Sequence, residues 1–325
     1  MSGLPDIDHA RLSGKIAVMR KKLPASGSAA RLALLRLHHE PGVSDACARV
    51  LFEAFDCPVA ACRAGPARLR HWMAKGLAQC LASSPKRDVA QAMQASLEWA
   101  RGPDCRLLTW LDQDYPACLH AMPDPPVVLY ARGNLAALSK PMLAIVGARD
   151  SSRPALSLAG TLARAVADKG WCVVSGLGRG LDAAAHKGAL AAEQGSATLA
   201  VMGTGPDRMY PPEHAQLARS ILGAEGLLIT ELCPGARVHP QHLLRRQRLI
   251  AGLSRGVVVV QAKRHSSALK TAKLACDLGR EVFAVPGAAG DPFSVGTHQL
   301  IREGAALVES AQDIWAAFGL LAAYR

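Results

Sequence analysis

"MLAIVGARDSSRPALSLAGTLARAVADKGWCVVSG", residues 142–176, decides the fold. Its opening "MLAIVG" is an unbroken apolar run ending on glycine. The middle brings apolar residues back every three or four positions, the period of a helix with one buried face. The closing "WCVVSG" is again apolar almost throughout. A strand without polar alternation has both faces buried. Strand, helix, strand in that order is the unit of a parallel sheet covered by helices on each side.

Outward from this stretch the unit repeats. Helical patterns at 181–195, 212–226 and 268–279 alternate with apolar runs at 197–203 ("ATLAVMG"), 227–232 ("LLITEL"), 256–262 ("GVVVVQA") and 281–287 ("EVFAVPG"). "SAQDIWAAFGLLA" (310–322) closes the chain as a helix. The pattern predicts an α/β, Rossmann-like doubly wound domain with a mostly parallel sheet over 104–325. Upstream, "CRLLTWLDQDYPACLHAMPDPPVVLYARGN" (105–134) holds two short apolar strands and a "PDPP" turn, which sets the domain boundary near 103. Residues 30–103 read as a small all-α domain of four or five short helices, and residues 1–29 as a flexible tail. Within the helices, "PGVSDACARVLFEAF" (41–55) has one glycine of the hairpin that grips nucleic-acid backbones. It lacks the second, and helix packing is the favoured reading.

Half of the 325 residues are hydrophobic but only 4% are aromatic, so the core must be built from Ala, Leu and Val. The net charge of +12 and the pI of about 9.5 favour a polyanionic partner, nucleic acid or an anionic membrane. A general preference for arginine gives the same balance. Nine cysteines, with no CxxC spacing and no zinc-type pairing with histidine, fit a reducing cytoplasm and no structural metal. The N-terminus carries no apolar signal core, and no apolar run approaches the roughly 18 residues of a membrane span. A cytoplasmic protein without membrane contact is expected.

In an open parallel sheet, ligands bind beyond the carboxyl ends of the strands. The loops expected there are 147–152 ("GARDSS"), 175–182 ("SGLGRGLD"), 203–213, 261–270 and 286–292. Glycine lets the backbone approach an oxyanion, and the helix that follows offers free N–H groups. "SGLGRGLD" is not GxGxxG, and neither a Walker lysine nor an acidic ribose-binding residue stands out, which disfavours a dinucleotide dehydrogenase. Asp182 and His186 fall at i and i+4 and admit a metal or acid–base pair. The plainer reading has Asp182 stabilising the helix start and His186 bonded to it, since no third ligand is suitably spaced. Ser175 lacks the GxSxG context of a nucleophile. No catalytic centre emerges.

Cations do emerge. "LLRRQRLIAGLSRGVVVV" (243–260) sets Arg245, Arg246 and Arg248 just ahead of a buried strand. In a helix Arg245 and Arg248 share a face, and Arg246 lies about 100° round. Arg149 and Arg179 come from neighbouring strand ends, and Lys263, Arg264 and Lys270 from the next. So many separate positive sites suit the phosphates of a linear polyanion better than one small phosphate.

Six ordered motifs carry a resemblance: "AIVGAR" (144–149), "VVSGLGRGLDAAAHKGAL" (173–190), "AVMGTGPDRMYPPEH" (200–214), "RLIAGLSRGVVVVQA" (248–262), "GREVFAVPG" (279–287) and "LIREGAALVESAQDIW" (300–315). Together they are similar to the DNA-processing protein A (DprA/Smf) family over about 105–318. The helical region is similar in placement to that family's SAM-like domain. The resemblance implies a single-stranded DNA-binding protein, not an enzyme, that protects incoming strands during natural transformation. It also implies loading of RecA recombinase for homologous recombination, a homodimer formed through the Rossmann-like domain, and no cofactor. From the family pattern, Arg149, the Ser175–Gly180 loop, Arg246 and Arg248 meet the strand. Combined with the basic rim, the expected nucleic-acid contacts are Gly147, Arg149, Ser152, Ser175, Gly176, Gly178, Arg179, Arg245, Arg246, Arg248, Ser266 and Lys270.

Three stretches depart from the family pattern. Leu243-Leu244-Arg245-Arg246-Gln247-Arg248 stands where Phe-Pro-x-Arg-Asn-Arg is usual, which removes an aromatic platform for a base. Ser266-Ser267-Ala268-Leu269-Lys270 replaces Ser-Gly-Ser-Leu-x, and Lys270 adds a charge. His298 replaces an asparagine, and no C-terminal winged helix is expected. The alternative is a nucleotide-binding or nucleotide-cleaving enzyme of the LOG-type phosphoribohydrolase kind. Its "PGGxGTxxE" corresponds here to "PGAAGDPFSVGTHQ" (286–299), with no glutamate after the Gly-Thr.

Overall fold

The apolar runs fold as strands in a computed structural model that describes residues 14–19, 28–55, 57–193 and 198–320. Contacts divide the chain into two units, Met1–Tyr130 and Ala131–Arg325. The first contains α1 (Ser28–His39), α2 (Asp45–Ala54), α3 (Pro58–Arg63), α4 (Pro66–Leu69), α5 (Lys75–Ala82), α6 (Arg87–Trp99), β1 (Cys105–Thr109) and α7 (Ala117–His120). The division falls inside β2 (Val128–Gly133). Most of the expected tail lies outside the described residues, but 14–19 are helical and Ile16 and Met19 are buried.

Composition placed the boundary near 103, whereas the contacts place it at Tyr130. The reason is packing across residues 105–130. Phe52 of α2 meets Trp110 edge to face with centroids 5.4 Å apart. Fully buried Arg49 donates 2.7 Å to the Met122 carbonyl, and Asp45 accepts from Val127 N at 3.2 Å. These strands serve the helical core before the chain enters the second unit.

The second unit contains β3 (Met142–Val146), α8 (Arg153–Asp168), β4 (Cys172–Gly176), α9 (Leu181–Leu190), β5 (Thr198–Val201), α10 (Ala215–Gly223) and β6 (Leu227–Thr230). It continues through α11 (Pro240–Leu253), β7 (Gly256–Val259), α12 (Ser267–Asp277), β8 (Glu281–Ala284), α13 (Val295–Arg302), β9 (Ala306–Leu307) and α14 (Ala311–Ala317). Its strands run in the order β6-β5-β4-β3-β7-β8-β9, every pair parallel. This is the expected doubly wound α/β fold. The chain winds outward from β3 to β6 and then returns through α11 to β7 on the other side of β3. That reversal makes the switch point where such sheets bind ligands.

All five residues of β3 and of β4 are buried, as continuous apolarity requires. Leu143, Ile145, Val173, Val258 and Phe283 form one core with Leu162, Val166, Leu181, Ile314 and Trp315 from α8, α9 and α14. Each such side chain contributes about 1.5–3 kcal/mol on leaving water. Helix α8 starts where Ser152 accepts from Ala155 N at 3.3 Å, just ahead of Pro154. No helix of the described residues is long and apolar enough to cross a membrane.

Candidate nucleic-acid interface

The carboxyl ends of β3, β4 and β7 are knitted together by backbone bonds. Ala148 N donates 2.9 Å to the Gln261 carbonyl, and Leu181 N reaches the Ala148 carbonyl. Gly180, at φ +71°, closes this clasp. A methyl group there would lie 2.6 Å from the Ala148 carbonyl oxygen and nearer still to that of Arg149. Only glycine fits. Ser152 N and the Gln261 side chain add a bond at 3.1 Å.

Above the clasp opens a cleft of about 470 Å³. Its charged lining is Arg149, Arg179, Arg246 and Asp182, and its rim includes Tyr210, Val238 and Leu244. Arg149 and Arg179 are exposed, and Arg149 has no carboxylate partner among the described residues. Arg179 pairs with Glu213, whose hydrogen bond raises the arginine's pKa and lowers the carboxyl's. Arg246 forms the floor. Its guanidinium lies 3.3 Å from both Asp182 Oδ2 and the Val201 carbonyl. Burial lowers its pKa and Asp182 opposes that shift. A guanidinium keeps its proton in proteins, so the floor remains cationic.

Gly176 makes room for this pair. A methyl group there would fall 2.5 Å from Asp182 Oδ2 and closer to the guanidinium. Asp182 also accepts from Gly178 N at 3.1 Å, so it ties the glycine loop to α11. His186 was expected to bond to Asp182 but does not. Its ring nitrogens lie 2.7 Å from Thr198 Oγ1 and 2.7 Å from the Gly176 carbonyl. Burial lowers its pKa to about 4. It is a neutral strut beneath the floor.

The expected contact residues divide accordingly. Gly147, Arg149, Arg179 and Arg246 line the cleft, and Gly176 and Gly178 lie against Arg246 or Asp182. Ser175 is fully buried and donates 2.7 Å to the Ile145 carbonyl. Ser152 caps α8. Arg245 and Arg248 do not line the cleft. Sharing a face of α11, they both hold Glu231, a buried carboxylate just past β6. Ser266 and Lys270 border a separate hollow between α12 and α13. The convergence expected of all these cations is therefore met by three arginines, not five.

Sequence reading missed the apolar side of the site. Tyr210, 39% exposed, stands on the rim with Val238 and Leu244, and "MYPPEH" was the available signal. It also missed Gln247. This side chain is buried against the cleft, and its Oε1 has no hydrogen-bond partner among the described residues. Leu243, at the family's phenylalanine position, lies against Gly203, where an added methyl would meet its Cδ2 at 2.6 Å. The loop at 286–292, which a nucleotide-cleaving site would use, does not line the cleft.

The sequence profile of the DNA recombination-mediator protein A family matches residues 106–319. Protein Smf of Escherichia coli K12 is 37% identical over 263 residues, 76% of this chain and 69% of its own length. DNA processing protein DprA of Streptococcus pneumoniae is 41% identical over 208 residues, 64% of this chain and 72% of its own. The X-ray structure of DprA from Streptococcus pneumoniae superposes with a TM-score of 0.69 at 32% identity, covering 86% of this chain and 95% of that one. DNA processing protein A from Helicobacter pylori, solved for its single-stranded DNA binding mode, gives 0.59 at 27% identity over 65% of this chain and 95% of its own. The chain belongs to the DNA recombination-mediator protein A family.

Proposed function

We propose that the protein binds single-stranded DNA across the switch-point cleft, protects incoming strands in the cytoplasm during natural transformation and delivers them to RecA as a homodimer. Arg149, Arg179 and Arg246 hold successive phosphates, and Tyr210 accepts an unpaired base in place of the missing phenylalanine. No cofactor and no turnover enter this reading. The observation that carries it is the open cleft lined by three guanidiniums, two from the loops after β3 and β4 and one from helix α11, with Tyr210 on the same lining. The single-stranded DNA binding of the Helicobacter pylori relative supports it.

Fluorescence anisotropy with matched single strand and duplex at two salt concentrations tests the reading. Three phosphate contacts give a salt slope of about −2 for single strands, at about −0.7 each. Arg149→Ala, Arg179→Ala and Arg246→Ala together should remove that slope, and an unchanged slope takes the cleft out of the DNA site. RecA-dependent strand exchange with and without the protein tests delivery. No acceleration by the folded protein removes RecA from the reading.

A further inference from the structure

The first unit carries a second concentration of cations that the cleft does not use. Residues 57–87 contain six Lys and Arg and no Asp or Glu. All six, Arg63, Arg68, Arg70, Lys75, Lys86 and Arg87, are exposed. None shares an ion pair with a carboxylate among the described residues. Their densest part is the turn that links α4 to α5. Leu69 is fully buried and pins it. Trp72 N donates 2.9 Å to the Leu69 carbonyl, and Arg70 N donates 3.0 Å to that of Pro66. With Leu69 facing inward, Arg68, Arg70, Trp72 and Lys75 project into solvent within eight residues.

Trp72 is the informative member. It is 41% exposed, whereas Trp110, Trp171 and Trp315 are buried in cores. Exposing an indole forfeits the burial that makes tryptophan useful in a fold. Arg68 is held over the Phe55 ring, 5.2 Å from its centroid, so at least one of the flanking cations is anchored. A cationic turn around one exposed aromatic matches the two surfaces of an unpaired nucleotide, phosphate and base face. A duplex offers the phosphates but keeps its bases stacked. A membrane-surface element needs a continuous apolar face, and this turn exposes one aromatic among cations.

We propose that the Arg68–Lys75 turn is a second binding site for single-stranded nucleic acid, with Arg68, Arg70 and Lys75 on phosphates and Trp72 stacked on a base. The site is independent of the cleft. The test uses the full chain with labelled oligo(dT), an abasic strand of equal length, a duplex, and phosphatidylserine vesicles. Arg68→Ala, Arg70→Ala and Lys75→Ala together should weaken oligo(dT) binding and reduce its salt slope by about 2. Trp72→Ala should weaken oligo(dT) binding about tenfold, leave the abasic strand unaffected, and be rescued by Trp72→Phe. Both effects should persist when Arg149 and Arg246 are replaced by Ala, so a failed cleft reading leaves this result intact. Unaltered melting temperatures establish that the variants fold, and Lys75→Glu supplies a second charge test. Unchanged slope and affinity overturn the proposal, as does a loss confined to vesicles or equal for duplex and single strand.

Discussion

Helix α11 carries two arginine arrangements that differ by one residue in sequence, in the carboxylate each faces and in whether the cleft reaches them. Arg245 and Arg248, three positions apart, close on Glu231, and the Arg248 and Glu231 side chains are 8% and 5% exposed. Arg246, between them, turns toward the glycine loop, meets Asp182 at 3.3 Å and keeps the cleft in front of it. Burial and pairing hold Arg248 on Glu231 away from the cleft, while Arg245 grips the same carboxylate from a side chain that is 47% exposed. Partial pairing holds Arg246 in place while leaving it available. The same residue type therefore fastens α11 beside β6 and equips its neighbour to meet an anion. What separates the roles is which carboxylate the helical turn faces.

The comparison breaks most decisively at the clamp. Glu231→Gln leaves a buried guanidinium without its charge partner, and the expected loss is about 3–5 kcal/mol in urea denaturation. Single-stranded DNA affinity per folded molecule stays unchanged. A stable variant with weakened DNA binding would instead join the clamp to the site.

Beneath the cleft, His186 sharpens the contrast through pH. Its folded pKa of about 4 lies below the ordinary 6.5, so the unfolded chain takes a proton that the folded one refuses. Its contribution is full above about 6.5, declines as pH falls and is gone near 4. The window corresponds to about 3 kcal/mol, visible as a falling urea midpoint between pH 7 and pH 4.5. His186→Asn should flatten that fall.

Gly176→Ala attacks the floor directly. The methyl displaces Arg246 or Asp182, costing about 1–3 kcal/mol of stability, and DNA affinity falls together with the salt slope. Replacing Tyr210 by Ala affects the rim alone, weakening binding by about 1–3 kcal/mol with no change in slope, because a base face carries no charge. Glu213→Gln gives the smallest effect. It releases an exposed Arg179, leaves the melting temperature where it was and slightly raises affinity at low salt.

The strand runs were legible because continuous apolarity has one solution in a sheet. β3, β4, β7 and β8 lie inside the quoted runs. β9 and α13 were not foreseen, being two and eight residues long and too short for a period to show. The glycine loops, Arg149 and Arg179 were legible as strand-end residues, and Arg246 as part of the basic segment ahead of a buried strand. The unused signal for the clamp was Glu231, an acid at the end of the buried run "LLITEL".

By itself the sequence determined the alternation of buried strands and helices, the surplus of arginine at strand ends, and the motifs that mark the family. Those follow from local periodicity and residue chemistry, which act along the chain. Only the tertiary structure decided that Arg248 is spent on Glu231, that Arg246 faces a cleft, and that Tyr210 stands on its rim. Ion pairing in a buried site depends on distances between residues far apart in sequence, set by how α11 crosses back over the sheet, and no spacing along the chain encodes them.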